Sequence, residues 1–212
     1  MSLFKGRLGE LYAWNGVFTN ALAEACTENY GSDPTKAQIT DTTKQLLSPN
    51  EVQTFSSSNG KNVIAIDYLN GVATFDGDVS SAIVTADSIN YIDDSDIELI
   101  GNIYGWKLDS SMEILDGTSL GATFKSKITG LGDFKGSADA FWLNDDWFIK
   151  FIAGSVYYMK FIIDSIGGPG ARVGFHGFVI ISGLSQNTPV GELVKETLTL
   201  EGYANLAYSD VM

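Results

Sequence analysis

The chain has 212 residues, of which 44% are hydrophobic and 18% are charged, and its formal net charge is −13. This composition can supply a packed core and excludes a disordered chain. The excess of 26 acidic over 13 basic residues excludes a protein that grips nucleic acid through basic contacts to phosphate.

The lone Cys26 excludes an intramolecular disulfide and predicts a core thiol. No stretch approaches the ~20 apolar residues that span a bilayer. The first residues lack the unbroken apolar run of a signal peptide. We therefore expect a protein that is made and folded in the cytoplasm, with no membrane partner.

The start of the chain predicts an arm followed by one domain. Residues 1–33 mix apolar side chains with Gly and Asn without a clean period, which predicts an extended arm with a helical piece at Asn20 to Glu28. Asp41 is predicted to cap a short helix over Thr42 to Leu47, which Pro49 ends. We assign residues 34–212 to a single β-sandwich domain.

A β-hairpin is the clearest local prediction, because Asn70-Gly71 lies between two β-patterned runs and suits a type I′ turn. A two-residue loop would pair Leu69 with Val72 and Asp67 with Thr74. The register would then place the following residues on two opposite faces: Ile64, Ile66, Tyr68 and Phe75 on an apolar face, and Asp67, Thr74 and Asp76 on an anionic one.

Further runs predict strands along the rest of the chain: Ala82 to Ala86, Ile97 to Trp106, Thr118 to Ile128, Lys135 to Trp142, Ser155 to Asp164, Arg172 to Ser182, and a last strand in which Val194, Glu196, Leu198 and Leu200 alternate with polar residues. Asn144 to Gly154 has a capped start and a glycine stop, which predicts a helix. The predicted fold is mainly β, a β-sandwich or barrel-like domain with one or two short flanking α-helices.

The sequence offers little for catalysis. His176 is the only histidine and falls in the middle of a predicted strand, so a Ser–His–Asp or Cys–His arrangement is not indicated. One His and one Cys cannot give a zinc pattern. Asp94, Asp96 and Glu98 alternate like calcium ligands, but the loop lacks the required glycine, which predicts a solvated acidic turn.

Two further patterns also have structural explanations. The run from Gly167 to Gly174 has the wrong glycine spacing for a phosphate loop and predicts a hairpin connection. The acid pairs Asp145-Asp146 and Asp76/Asp78 resemble glycosidase carboxylates, yet one fits a helix cap and the other a turn. We therefore predict a protein that is not an enzyme and has no cofactor or metal.

From about Tyr30 to its end the chain resembles bacteriophage tail tube proteins. The resemblance rests on the order of five features: a polar helix before the first hairpin, the hairpin from Ile64 to Phe75, the central run from Asp116 to Leu131, the strand-plus-helix unit from Lys135 to Gly154, and the terminal strands with Val190-Gly191-Glu192-Leu193 at their bend. The segment from Met1 to Asn29 departs from the family by being longer and more aromatic.

The resemblance implies a structural virion protein of the phage tail. Members of that family are major tail tube proteins, with a β-sandwich and a flanking helix. They form hexameric rings that stack into a hollow tube for genome delivery. The implied partners are other copies of the chain, the tail tip and tail terminator proteins, and double-stranded DNA in transient passage without specific binding. The implied location is the virion tail, after assembly in the cytoplasm of a host bacterium.

We add two hypotheses about surfaces. The anionic face with Asp67, Thr74 and Asp76 lines an acidic lumen, because residues 1–100 carry 14 acidic and 5 basic residues and a DNA channel should repel phosphates. Residues 1–33 and the loop from Leu47 to Thr54 bridge neighbouring subunits or rings, because neither has an obvious internal packing partner.

Other functions stay open at this point. The inner tube of a contractile tail or of a tail-like injection system would share the fold and the ring. A monomeric β-sandwich binding module would bind a ligand and would not polymerise. A glycoside hydrolase would need two carboxylates facing one cleft.

Overall fold

A computed structural model of the chain describes residues 10–14, 18–99, 103–116, 127–141, 154–163, 173–187 and 194–210. In these ranges the protein is mainly β, as the sequence predicts, with two antiparallel sheets. The helices within these ranges are three short 3-10 turns, Tyr30–Ser32, Thr42–Lys44 and Asp94–Asp96. None of the helices in the described part of the chain could span a membrane.

The strands are, in chain order, β1 Glu10–Trp14, β2 Thr19–Glu28, β3 Lys36–Ile39, β4 Thr54–Ser57, β5 Val63–Asp67, β6 Val72–Phe75, β7 Val84–Tyr91, β8 Ile97–Leu99, β9 Ile103–Asp116, β10 Lys127–Phe141, β11 Val156–Ile163, β12 Val173–Asn187 and β13 Lys195–Asp210. The chain divides into two compact units, one of residues 14–98 and one of residues 1–13 with 99–212. The division into an arm, 1–33, and a domain, 34–212, stays a prediction.

The unit of residues 14–98 contains a six-stranded sheet in the order β4-β7-β2-β3-β6-β5. Strand β2 pairs with two strands: residues 19–25 pair with β7, and residues 26–28 pair with β3. The core of this unit is a cluster of small and aliphatic side chains around Ile39, Phe75 and Ile89, which are almost fully buried. Burial of this apolar surface is the main favourable term in folding the unit.

The strands of the other unit lie in the seven-stranded sheet, in the order β1-β11-β12-β13-β10-β9. Alternate residues of its strands build a second core around Met159, Phe161, Val179 and Leu198. Strands β11 and β12 are buried on both faces, because Tyr158 and Phe178 on the opposite face are also almost inaccessible to solvent. Such strands show as continuous apolar runs in the sequence.

The helix predicted at Asn20 to Glu28 is wrong, because these residues form β2. The buried side of the strand changes at Ala23, whose φ of 56° lies in the left-handed region. Ala21 is buried before this point and Cys26 after it, five residues apart. This spacing breaks the two-residue alternation by which a strand is recognised.

The hairpin is confirmed as β5 and β6, but its register differs from the prediction. Asp67 pairs with Val72 and Ala65 pairs with Thr74, so the connection has four residues, 68–71, and not two. A shift of two residues keeps each side chain on its face. A bulge at Ile64, however, turns this residue outward, where 66% of it is exposed. Its predicted place on the apolar face is therefore wrong.

The remaining strand predictions fall on β7 to β13 where the chain is described. The alternation in β13 is confirmed, since Glu196, Leu198 and Leu200 are buried while Lys195 and Thr199 are exposed. Asp41 caps its turn as predicted, although the helix is a 3-10 turn that ends at Lys44. Apart from Gly154, the predicted helix at Asn144 to Gly154 lies outside the described residues, as does most of the run Thr118 to Ile128.

Candidate functional site

Aspartates cap the turns of the unit of residues 14–98 in a repeated way. Each of these turns has the sequence Asp-x-Ser/Thr. One oxygen of the Asp carboxylate accepts hydrogen bonds from both the backbone N–H and the side-chain hydroxyl of the Ser or Thr two residues later. This arrangement occurs in Asp33–Thr35, Asp41–Thr43, Asp78–Ser80 and Asp93–Ser95, with distances between 2.7 and 3.1 Å. Part of the acidic excess therefore holds turns in place.

These hydrogen bonds favour the ionised carboxylate. The hydroxyl and the backbone N–H of Thr35, with Lys36 beside them, lower the pKa of Asp33 to about 2. The corresponding bonds from Thr43, Ser80 and Ser95 lower the pKa of Asp41, Asp78 and Asp93. The capping aspartates are therefore charged at neutral pH.

The three residues predicted to face the lumen belong to the β5–β6 hairpin and its ends. The Asp67 carboxylate accepts from the Leu69 N–H at 3.1 Å and from the Asn70 side chain at 2.8 Å. The Asp76 carboxylate accepts from the backbone and the side chain of Asn62, both at 3.1 Å, and these bonds lower its pKa. Thr74 lies between them on β6 and is half-buried.

Every lysine of the unit of residues 14–98 lies close to an acid. Lys36 contacts Asp33 at 3.1 Å, and Lys44 contacts Glu24 at 2.7 Å and Asp41 at 3.3 Å. Lys61 lies close enough to Asp76 to help lower its pKa. Residues 14–98 carry 13 acidic side chains and these 3 lysines, so the acidic excess is concentrated in this unit.

The segments predicted to bridge subunits have partners inside the chain. Strand β1 pairs with β11, and β2 pairs with β7 and β3. In the loop from Leu47 to Thr54, the side-chain N–H of Gln53 donates to the Ser48 carbonyl at 2.7 Å. The side-chain oxygen of Gln53 accepts from the Asn90 backbone N–H at 2.7 Å. The reason given for these bridges, a lack of internal partners, is wrong; the bridges themselves stay a prediction.

Both sheets end in strands with one open edge. Strands β4 and β5 are the outermost strands of the six-stranded sheet, and β9 ends the seven-stranded sheet. Over the described residues β9 pairs only with β10. A row of unpaired backbone N–H and C=O groups is a template for another strand.

The seven-stranded sheet also forks. Strand β10 pairs with β13 only from Lys135 to Phe141, whereas its pairing with β9 starts at Lys127. Strand β13 continues to Asp210 with β12 alone. The strands separate at Gly202, where a side-chain carbon would lie 2.5 Å from the Phe134 ring. In the described residues, segments 127–134 and 206–210 each pair with another strand on one side only.

Exposed apolar residues lie on both branches of the fork. Met112 on β9 is 59% exposed, and Tyr208 on β13 is 60% exposed. Tyr203, in the irregular part of β13 between Gly202 and Leu206, is also exposed. Single exposed apolar residues are ordinary, but residues next to an open strand edge are candidates for contact with another chain.

His176 lies in a strand, β12, as predicted, and the polar ends of Tyr158 and Lys160 lie near it. Its Nδ1 is 2.7 Å from the Tyr158 hydroxyl, and Lys160 lies opposite it on β11 with its Nζ 5.9 Å from the Tyr158 ring centre. Burial, and then the charge of Lys160, lower the pKa of His176. We interpret this cluster as a structural hydrogen-bonded group.

Glu196 is a buried acid on the core-facing side of β13, where it is 2% exposed. One carboxylate oxygen, Oε1, has no hydrogen-bond partner. Burial raises its pKa above the ordinary value, and a hydrogen bond with Gln186 offsets part of that rise. The sequence places Glu196 on this face by alternation but does not indicate the unpartnered oxygen.

The structure gives no support for a metal centre. Among the described residues, no group of three His, Cys, Asp or Glu side chains is close enough to hold a metal ion. The turn Asp94–Asp96 is stabilised by Asp93, and the Cys26 thiol is buried, which raises its pKa to about 12. The glycine run from Gly167 to Arg172 and the pair Asp145-Asp146 lie outside the described residues.

Sequence reasoning predicted the cap at Asp41 but missed the caps at Asp33, Asp78 and Asp93 and the fork of the sheet. The caps have a visible signal, because Asp-x-Ser/Thr recurs four times in residues 33–95. The fork has none, since it depends on where β10 leaves β13.

Comparisons with known proteins give structural matches only. No family model and no curated protein matches the chain. A chain of the tail of an empty gene transfer agent particle, from helical refinement with C6 symmetry, is 16% identical with a TM-score of 0.43, covering 54% of this chain and 87% of that one. A chain of the virion of the native gene transfer agent particle is 17% identical with a TM-score of 0.43, covering 55% and 91%.

Both structures are only 16% and 17% identical to this chain, and their TM-scores of 0.43 are too low to carry an argument about its fold or function. The function is therefore argued from the strand edges, turns and charges of the chain itself.

Proposed function

We propose that this protein is the major tail tube subunit of a phage-type particle. Copies of the chain form hexameric rings, and the rings stack into a hollow tube through which the genome passes to the host. The role is structural, without catalysis or a cofactor. The protein resides in the virion tail and assembles in the host cytoplasm, with tail tip and terminator proteins at the two ends of the tube.

The observation that carries the proposal is the set of open strand edges at the ends of both sheets. An open edge on a folded monomer is an aggregation hazard, and natural proteins cover, shorten or charge it. Strand β9 is 14 residues long, and Met112 is exposed in its outer half. Ordered pairing of such edges between copies would remove the hazard and build a closed assembly.

The acidic surface supports passage of DNA. With its lysines close to acids, the unit of residues 14–98 offers few cations for phosphate contacts. Each added cationic contact would raise DNA affinity and its dependence on salt. We propose that Asp67, Thr74 and Asp76 face the lumen, as the hairpin faces and the acidic bias of residues 1–100 predicted.

The first experiment is negative-stain electron microscopy of the purified protein at high concentration, with sedimentation velocity on the same sample. Rings or hollow tubes are the expected result. A protein that stays monomeric at every concentration, and that also fails to polymerise on isolated tail tips, would refute the proposal and favour the monomeric binding module.

The lumen assignment needs variants that keep the turn caps. Because both aspartates hold turns, Asp→Lys changes at positions 67 and 76 would confound charge with folding. Thr74→Lys adds a cation without removing a cap, and Thr42→Lys is the matched Thr-to-Lys control at an exposed site. We expect both variants to form tubes and only Thr74→Lys to slow DNA ejection from particles. Equal ejection by the two variants would refute the assignment.

A further inference from the structure

Taking the proposed tube as its premise, we infer which strands join two copies. The outer segment of β9, residues 109–116, of one copy pairs with the outer segment of β13, residues 203–210, of a second copy. Met112 then lies against Leu206 and Tyr208 of that copy. The interface is strand addition between two open edges.

The first ground is that the outer edges of β9 and β13 are both available for pairing. Over residues 109–116, β9 has β10 on one side and, among the described residues, no strand on the other. Over residues 206–210, β13 pairs with β12 on one side, and β13 has already separated from β10 beyond Glu201. The regular part of the β13 segment is residues 206–210, which includes both Leu206 and Tyr208, and the β9 segment from 109 to 116 is long enough to cover it.

The second ground is the continuity of the apolar face. Trp106 and Leu108 on β9 pack on the core of the sheet, and Met112 follows on the same face, opposite Gly132. The glycine leaves the flank of Met112 open. The other face of β9 carries Lys107 and Asp109, which form an exposed ion pair at 2.6 Å. The outer segment is therefore polar on one face and carries an exposed apolar side chain on the other.

The receiving strand, β13, also has an apolar face. Leu206 on β13 packs against the core, and Tyr208 follows on the same face, with its ring 5.1 Å from that of Phe175. Tyr208 is nevertheless 60% exposed. A strand added at this edge with its apolar face toward the core would place Met112 on Tyr208, a favourable sulfur–aromatic contact.

The occupant is a second copy because one chain carries both halves of the interface. The donor edge and the receiving edge lie on different strands, so the contact is head to tail. Contacts of this type propagate, and they close into rings when the rotation between copies allows it. A partner of another kind would leave one of the two edges open on every copy.

A pair of adjacent substitutions tests the faces. Met112→Asp places a charge in the interface, whereas Ser111→Asp places the same charge on the opposite face at a site that is also exposed. We expect Met112→Asp, but not Ser111→Asp, to raise the concentration needed for assembly on the order of tenfold or more. Circular dichroism should show that both variants fold. Equal effects of the two substitutions on assembly would overturn the assignment.

Cysteine cross-linking tests the pairing without requiring tubes. A Met112→Cys chain is mixed with a Tyr208→Cys chain under mild oxidation, and a Ser111→Cys chain with the same partner is the control. Cys26 does not compete, because it is buried and its pKa is about 12. We expect a disulfide-linked dimer in the first mixture only, since a disulfide needs side chains that point toward each other.

The outcomes separate this inference from the proposed function. Tubes without the selective cross-link would refute the pairing and leave the tube function standing. The selective cross-link without tubes on any tail tip would support the pairing and refute the tube function. A cross-link that forms equally in both mixtures would overturn the pairing.

Discussion

Replacing Glu196 by leucine should stabilise the protein. The carboxyl group is buried on the core-facing side of β13, and its Oε1 has no hydrogen-bond partner. A buried acceptor left unsatisfied costs about 1–3 kcal/mol. Leucine has a similar volume and no polar atom, and the Gln186 partner is exposed and can bond to water. We therefore expect Glu196→Leu to raise the free energy of unfolding by about 1–3 kcal/mol at neutral pH.

The gain should depend on pH with a definite sign. Burial raises the pKa of Glu196 in the folded state, so the folded protein keeps this proton to a higher pH than the unfolded chain does. The free energy of unfolding of the wild type therefore falls as pH rises from the ordinary carboxyl range through the folded pKa. The advantage of Glu196→Leu should be smaller at about pH 4 than at about pH 8.

Urea unfolding of the wild type and the variant at both pH values measures this difference. Subtracting the two curves cancels the opposite pH dependence of the capping aspartates. Glu201→Leu is the control, because Glu201 lies on the same strand, is exposed, and contacts Lys135 at only 3.6 Å. It should change stability by less than about 1 kcal/mol. A Glu196→Leu variant that is no more stable than wild type at about pH 8 would refute the reasoning.

Three further predictions concern a close packing contact, a turn cap and the cysteine. Gly202→Ala should cost about 1–3 kcal/mol, because the added carbon would lie 2.5 Å from Phe134, whereas Gly105→Ala meets nothing within 4 Å and should cost less; thermal unfolding compares the two. Asp33→Ala should lose stability at neutral pH, with a loss that shrinks as pH falls toward about 2, while Asp33→Asn keeps an acceptor for Thr35 and should lose less; acid titration followed by circular dichroism checks both, and equal losses would contradict the capping role. Cys26 should resist a thiol reagent in the folded protein and react fully in denaturant, and fast reaction of the native thiol would show that it is not buried.

The hairpin shows how much of the fold the sequence predicted. Asn70-Gly71 correctly located the turn, and Gly71 has a φ of 60°. The loop length was wrong because the Asp67 carboxylate holds Leu69 and Asn70 in a wider turn. Local propensity indicates that a turn forms, whereas a side-chain cap decides its size. The same limit applies to β2, where the change of buried side at Ala23 depends on both neighbouring strands.

The candidate site was less predictable than the fold. Alternation in β13 placed Glu196 on the buried face, and His176 was correctly placed within a strand. The open edges could not be predicted, because pairing partners are separated by long stretches of chain. Met112 and Tyr208 carry no signal in sequence, since one apolar residue among polar ones is ordinary.

The pairing of β1 with β11 affects how the chain folds. Glu10 pairs with Ile162, so this contact closes a loop of about 150 residues, at an entropic cost of about 4–5 kcal/mol beyond the constant term. During synthesis Leu11 and Ala13 leave the ribosome early, and the strands next to β1, first β8 and then β11, follow only much later. We expect β1 to join the sheet late, leaving the edge of β11 open to chaperones or to a strand of another chain in the meantime. Pulse-labelled hydrogen exchange that protects β1 as early as the β12–β13 pair would contradict this order.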